Sequence, residues 1–345
     1  MSTDIVVFSP SSSLPEHLPI VEAGAREAMD QFFDAEIDNP RTRRAYVKAS
    51  ADFFRFALPM IGAGLGSLTA VHFSGWIEAM KERGLSTPTI KQRLAGVRML
   101  FQSLARQQII KWNPVAVVKG PRYTVQTGKT PMLDGEETHL LLNAIDTSTL
   151  IGLRDRAMIG TMAYSFARVS AVTSLDVVHA FHQRQRLWLR LTEKGGQCKD
   201  VPCHHHLETY LSEWIEAAEL ADMPDAPLFQ TFTWEPPPEV DGQDEPNRKD
   251  DPNKRPRRRR ILSGDRMTQA MTWEMIQRRA QHAGIKTAVC NHTFRAAGIT
   301  AYLKNGGTIE RAAVIAGHAS TRTTKLYDRR NDELTLDEIE KIRFM

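Results

Sequence analysis

The chain has 345 residues, 41% apolar and 25% charged, with three cysteines and a formal charge of +4, which suggests two ordinary globular domains. No run of about 18 apolar residues occurs, and no basic segment followed by an apolar one opens the chain, so neither a membrane span nor a secretory signal is expected. Cys198, Cys203 and Cys290 cannot build a paired disulfide framework and fit a reducing, cytoplasmic compartment, while the mild basic excess permits nucleic-acid binding without demanding it.

In chain order, residues 1–20 are rich in Ser and Pro and read as a flexible tail. Residues 21–120 read as a helical domain. Asn39-Pro40 precedes a segment with Tyr46, Ala49, Phe53, Phe54 and Ala57 at helical spacing. Thr69 can cap a helix burying Val71, Phe73, Trp76, Ile77 and Met80, which ends at Gly84. Thr87, with Pro88 at the first helical position, starts another whose inward side is Ile90, Leu94, Val97, Phe101 and Leu104. Lys91, Arg93, Arg98 and Arg106 decorate that helix away from the apolar stripe. They read as a solvated face unless a DNA-working site exists elsewhere, in which case they become phosphate contacts.

Trp112-Asn113-Pro114 breaks the helix, and the basic stretch 121–132, flanked by Lys119 and including Arg122, reads as an extended linker. The region 133–345 opens with helices near Gly135–Ile145 and Ile151–Phe166. After Arg168 and a short continuation to Leu175-Asp176, the period changes. Leu187, Leu189 and Leu191 alternate with polar neighbours as in a strand, Lys194-Gly195-Gly196 supplies turn residues, and Val201-Pro202 returns as the second strand of a hairpin. Cys198 and Cys203 lie near His204, His205 and His206. Their C-x4-C spacing lacks a second matching pair, which argues against a zinc site. Helix resumes around Leu207–Leu220. Residues 235–260 read as an inserted loop, Pro-rich and then acidic, ending in the basic cluster that includes Arg257, Arg258, Arg259 and Arg260. It is either a solvated tether or a clamp on a DNA backbone.

The stretch from Asn291 holds the densest chemistry. Asn291 can cap a helix whose first turn carries His292 and Arg295 on one face, close enough to grip one anion. That helix should stop at Gly306-Gly307. A second, opened by Thr308 and closed by Gly317, hands the chain to His318, and Thr321 can cap a third carrying Tyr327. Thr335 with Glu338, and Leu334 with Ile339, mark a short terminal helix that must dock on its own domain or on a neighbouring subunit to be stable.

Taken together, SFARVSAVTSLDV, TEKGGQCKDVPC, NHTFRAAGIT and IAGHASTRTTKLYDRR present Arg, Lys, His-x-x-Arg, Gly-His and Tyr in an order that resembles the tyrosine recombinase, or phage integrase, family. The resemblance covers roughly residues 25–345. It implies a mainly α fold: an N-terminal helical core-binding domain that contacts DNA, then an α+β catalytic domain with a small hairpin or sheet. The implied catalytic set is Arg168, Lys194, His292, Arg295, His318 and Tyr327. Two guanidiniums would hold the non-bridging oxygens of a DNA phosphodiester. Tyr327 would be the covalent nucleophile, His292 would share its proton, His318 would bind the phosphate or position the tyrosine, and Lys194 would protonate the leaving 5′ oxygen. Because a phosphotyrosine bond conserves the energy of the cleaved linkage, no metal, ATP or other cofactor is required. The family further implies a 3′-phosphotyrosyl intermediate and a four-way junction. Its partners would be double-stranded DNA and a homotetramer on two DNA sites, nucleoid-associated when bound, with room for accessory DNA-bending proteins.

Two positions depart from the family pattern. An acidic residue usually stands three places after the first arginine, where this chain has Ala171. A second histidine often follows the His-x-x-Arg arginine, where it has Ala296. Reduced support for Arg168 is expected, with Asp176 as a substitute. Other readings are a non-catalytic DNA-binding relative, which would have no need of Tyr327, and a topoisomerase-like or hairpin-forming enzyme using the same step.

Overall fold

The structure, a computed structural model, describes residues 24–60, 64–124, 131–193, 195–235 and 259–328. The tail at 1–20, the 125–130 part of the linker, Lys194, Arg257, Arg258 and the terminal helix lie outside the described residues. The chain divides into two compact units, Met1–Thr124 and Val125–Met345.

The first unit is built on α1 (Ala25–Ala35), α2 (Pro40–Ala57), α3 (Ala70–Glu82) and α4 (Thr87–Arg106). Asn39 Oδ1 accepts from the main-chain N–H groups of Arg41 and Thr42, which caps α2 just ahead of Pro40. Thr69 and His72 form a reciprocal capping box on α3. Ser86, one residue earlier than expected, takes the N-cap position of α4, its hydroxyl paired with Thr89 Oγ1 at 2.8 Å rather than with the main chain. The apolar stripe of α4 is buried as a unit, and Phe101 packs edge-on against Phe53 and Phe73, which stack at 4.4 Å. Val71 is a correction: it is 76% exposed. It precedes Phe73 by two residues, which turns it about 200° around the helix and away from the buried side.

The second unit begins with α5 (Gly135–Asn143), α6 (Leu150–Tyr164) and α7 (Val169–Thr173). A three-stranded antiparallel sheet follows, ordered β1 (Ala180–Gln183), β2 (Arg186–Thr192), β3 (Cys198–Pro202). Leu187, Leu189 and Leu191 of β2 all face the core, as a period of two requires. After α8 (His205–Ala217) come β4 (Gln230–Trp234) and β5 (Arg260–Arg266), then α9 (Gln269–His282), α10 (Thr293–Lys304), α11 (Ile309–Ala316) and α12 (Thr321–Lys325). β4 pairs antiparallel with β5. The inserted segment therefore departs from and returns to a strand pair, and Arg260 belongs to β5 rather than to a loop.

Buried charge holds these layers. Asp155 of α6 accepts from Arg154 and from Arg279 of α9, and Arg154 also donates to Gln230 O of β4 at 2.9 Å. Gly298 lets α10 lie against the end of α6, since a Cβ there would meet Ala163 O at 2.0 Å. That close approach places the Arg295 side chain beside the turn leading to Arg168.

Candidate active site

Arg295 is the centre of the site and is 1% exposed. A buried guanidinium needs its donors satisfied, and three of the five are spent on Phe166 O, Ala316 O at 2.6 Å and His318 Nε2 at 2.7 Å. Phe166 reaches Arg295 by adopting φ 53°, a left-handed conformation that costs a non-glycine residue about 1–2 kcal/mol. The same turn delivers Arg168, the N-cap residue of α7, whose side chain stays 28% exposed.

His318 follows the left-handed Gly317, at φ 61°, which closes α11. Because a guanidinium only donates, His318 Nε2 accepts from Arg295. Nδ1 therefore carries the proton and donates to Thr324 Oγ1 at 2.9 Å. Burial first, then the charges of Arg295 and Arg168, push its pKa down to about 4.

The Tyr327 ring stacks on His318 at 5.8 Å and 11°, and packs with Phe166, Ile299, Leu303, Ala312 and Ala316. Its main-chain carbonyl accepts from Thr300 Oγ1 at 2.7 Å, which ties the segment to α10. Burial and Arg168 weigh against the charge of Arg295. The nearby Glu193 and Tyr327 side chains support it. Tyr327 sits two residues beyond α12, whose cap is Ser320 rather than Thr321.

His292 is the N-cap residue of α10 rather than part of its first turn, because Asn291 is drawn aside to donate to Gln269 O at 3.0 Å. Its ring keeps an open side. Protein packed around the other side, with Arg295 and Arg168, nonetheless lowers its pKa. The structure thus brings Arg168, His292, Arg295, His318 and Tyr327 together within one chain.

Two participants were not foreseen. Asp176 does not support Arg168, since it pairs with Arg266 and His179. The carboxylate that meets Arg168 belongs to Glu193, at the base of the β2–β3 turn. Lys199 of β3 lies 3.3 Å from the same carboxylate and donates to Ile315 O, its pKa lowered mainly by burial. Glu193 and Lys199 were visible as charges in TEKGGQCKDVPC, but only the fold shows that they turn inward.

Among the basic residues assigned to DNA, Lys91, Lys119, Arg122, Arg259 and Arg260 are exposed, and Arg260 lies over the Trp234 ring at 4.9 Å. Arg93 and Arg98 are half-buried and engaged within the protein. Arg93 donates to Asp52 at 2.8 Å, and Arg98 donates to Val118 O at 2.8 Å. The Arg83 hydrogen bonds lead in holding the Asp52 carboxyl down at about 2, helped by Trp76 and Arg93. Arg106 is exposed yet paired with Glu36 at 2.5 Å. Sequence reading missed Arg44, Lys48 and Arg55 of α2, exposed side chains that line a cleft of about 510 Å³ with Asp52 and Arg93. Their recurrence along one side of α2 was the available signal.

The model of the phage integrase family matches residues 131–333, and that of the phage integrase N-terminal SAM-like domain matches residues 38–108. The tyrosine recombinase XerD of Ralstonia nicotianae is 25% identical over 320 residues, covering 92% of this chain and 94% of that protein. The tyrosine recombinase XerC of Escherichia coli is 22% identical over 251 residues, covering 72% and 71%. Among solved structures, the post-cleavage complex of XerH site-specific recombinase with palindromic difH substrate superposes with a TM-score of 0.66 at 17% identity, covering 95% of this chain and 90% of that one. A lambda integrase tetramer bound to a Holliday junction gives 0.62 at 12% identity, covering 91% and 79%. These two superpositions establish a shared fold.

Proposed function

The chain belongs to the phage integrase family of tyrosine recombinases, and from that premise we propose that it is a site-specific recombinase or integrase of a mobile element. It cleaves and religates double-stranded DNA through a 3′-phosphotyrosine and a four-way junction, with four protomers on two sites. The observation that carries this reading is the line of contacts running in one chain from Arg295 through His318 to Tyr327: Arg295 donates to His318 Nε2 at 2.7 Å, and the His318 ring stacks on the Tyr327 ring at 5.8 Å.

In the proposed reaction Arg168 and Arg295 hold the non-bridging oxygens of the scissile phosphate and stabilise the charge that builds there. The Tyr327 phenol oxygen attacks phosphorus, the bond to the 5′ oxygen breaks, and the phenol proton passes to His292. Lys194 protonates the departing oxygen. His318, neutral and stacked on the Tyr327 ring, orients the nucleophile. Reversal of these steps on a different strand rejoins the DNA without an external energy source. A nicked suicide substrate, which loses its leaving strand by diffusion, should accumulate a covalent protein–DNA adduct. Absence of any adduct with DNA bound would defeat the proposal.

The lowered pKa of His292 has a direct consequence. A base must be neutral, and a pKa below 6.5 keeps the imidazole neutral into more acidic solution. At subsaturating DNA, which reports the free protein, cleavage should hold as pH falls through 6.5 and decline only below it. A decline centred at or above 6.5 would contradict the assignment.

DNA binding by the first unit draws on exposed cations, including Arg44 and Lys48 of α2. Replacing both with Ala should weaken binding by a similar factor on unrelated DNA sequences. It should also reduce the slope of log K against log salt by about 2, roughly one per lost phosphate contact. An unchanged slope would remove that cleft from the interface.

A further inference from the structure

We propose that Glu193 is a positioning residue: from inside the site, its carboxylate fixes Arg168 and Lys199 and fastens the β2–β3 turn to the end of α11. The inference rests on the recombinase reading for its consequence and on geometry for its substance. Glu193 Oε2 accepts from Arg168 Nη1, while Oε1 stands 3.3 Å from Lys199 Nζ and 3.9 Å from Arg295 Nη1. The Oε1 contacts are ion pairs rather than well-directed hydrogen bonds. Lys199 in turn donates to Ile315 O, three residues before His318. The main chain of Glu193 closes the turn, its N–H donating to Gln197 O at 2.8 Å and its carbonyl accepting from Gly196 N at 3.1 Å. Gly317, at φ 61°, turns the chain directly beside this junction, where its Cα side faces Glu193 and Lys199.

Three cations in so small a buried volume repel one another, and the Glu193 carboxylate offsets that repulsion. Among the described residues, the nearby positions offer Arg168 no substitute, for Ala171 has no carboxylate and Asp176 is engaged by Arg266. Depth decides between a brace and a plug. The Glu193 side chain is 4% exposed and the Arg168 side chain 28%, so the carboxylate is the deeper partner and braces the guanidinium from within.

The test uses the full chain. Glu193→Gln should cut single-turnover cleavage of a nicked suicide substrate by about tenfold or more while DNA affinity stays within about twofold. Glu193→Ala should regain cleavage several-fold on addition of formate, a response that loss of fold would not produce. Independently of cleavage, the Lys199 titration followed by ¹³Cε NMR should fall by about one unit in Glu193→Gln, because a counter-charge has gone. Cleavage at or above the parent rate in Glu193→Gln, no formate response in a folded Glu193→Ala, or an unmoved Lys199 titration would each overturn the proposal. A parent protein that forms no adduct, alongside a shifted Lys199 titration, would instead retire the recombinase reading and leave the hold on Lys199 standing.

Discussion

Tyr327→Phe should abolish covalent trapping on a nicked suicide substrate while DNA binding survives. The substitution removes one oxygen and leaves the ring, and the ring makes the structural contacts. It stacks on His318 at 5.8 Å and packs among Phe166, Ile299 and Leu303, all of which a phenylalanine can satisfy. The backbone anchor is also untouched, since Thr300 Oγ1 bonds the carbonyl of residue 327 rather than its side chain. What disappears is the nucleophile, and with it any bond between protein and phosphorus. The loss should be complete, because phenylalanine has no oxygen with which to bond phosphorus. Adduct persisting in Tyr327→Phe at the parent level would show that another side chain attacks.

Arg295→Lys should have the second largest effect, lowering cleavage by about 10²–10³-fold, as loss of a transition-state donor does elsewhere. An ammonium presents its donors from a single point. It cannot span Phe166 O, Ala316 O and His318 Nε2 while also reaching a phosphate. His318 would lose the donor that fixes its tautomer, so the defect should extend to the orientation of Tyr327. Because Arg295 is 1% exposed, the variant should also melt at a lower temperature, and cleavage should be compared well below that point. Arg168→Lys should be milder, since a lysine can still pair with Glu193 from a position that is 28% exposed. Near-normal cleavage by both variants would remove the phosphate clamp from the account.

Much of the site was legible because its signals are local. Thr308 and Gly317 bracket α11 through a side-chain cap and a left-handed turn, and those two features set where His318 emerges. The β2–β3 pairing was equally readable, since alternating leucines and a Gly-Gly turn specify a hairpin over few residues. Elements whose partners are distant in sequence were not. β4 and β5 pair across the inserted segment, and neither strand alternates cleanly enough to declare itself. β1 and α9 also went unread. AFHQ is too short to show a period, and α9 places Gln and Arg around much of its surface.

Charge was the least legible property of all. Arg93 and Arg98 look like a solvated face from spacing alone, yet Asp52 on α2 and the carbonyl of Val118 draw them inward. In the same way, Asp176 is close to Arg168 in sequence but is claimed by Arg266 from β5. Glu193, further along the chain, reaches Arg168 because β2 runs alongside α7. An ion pair depends on which elements meet, so composition and periodicity do not report it.

The most direct measurement is to trap the adduct on a nicked suicide substrate, digest the protein and identify by mass spectrometry the peptide that carries the nucleotide. The account predicts a phosphodiester on the peptide containing Tyr327, linked to a 3′ end. A nucleotide on any other residue, or a 5′ linkage at Tyr327, would contradict it.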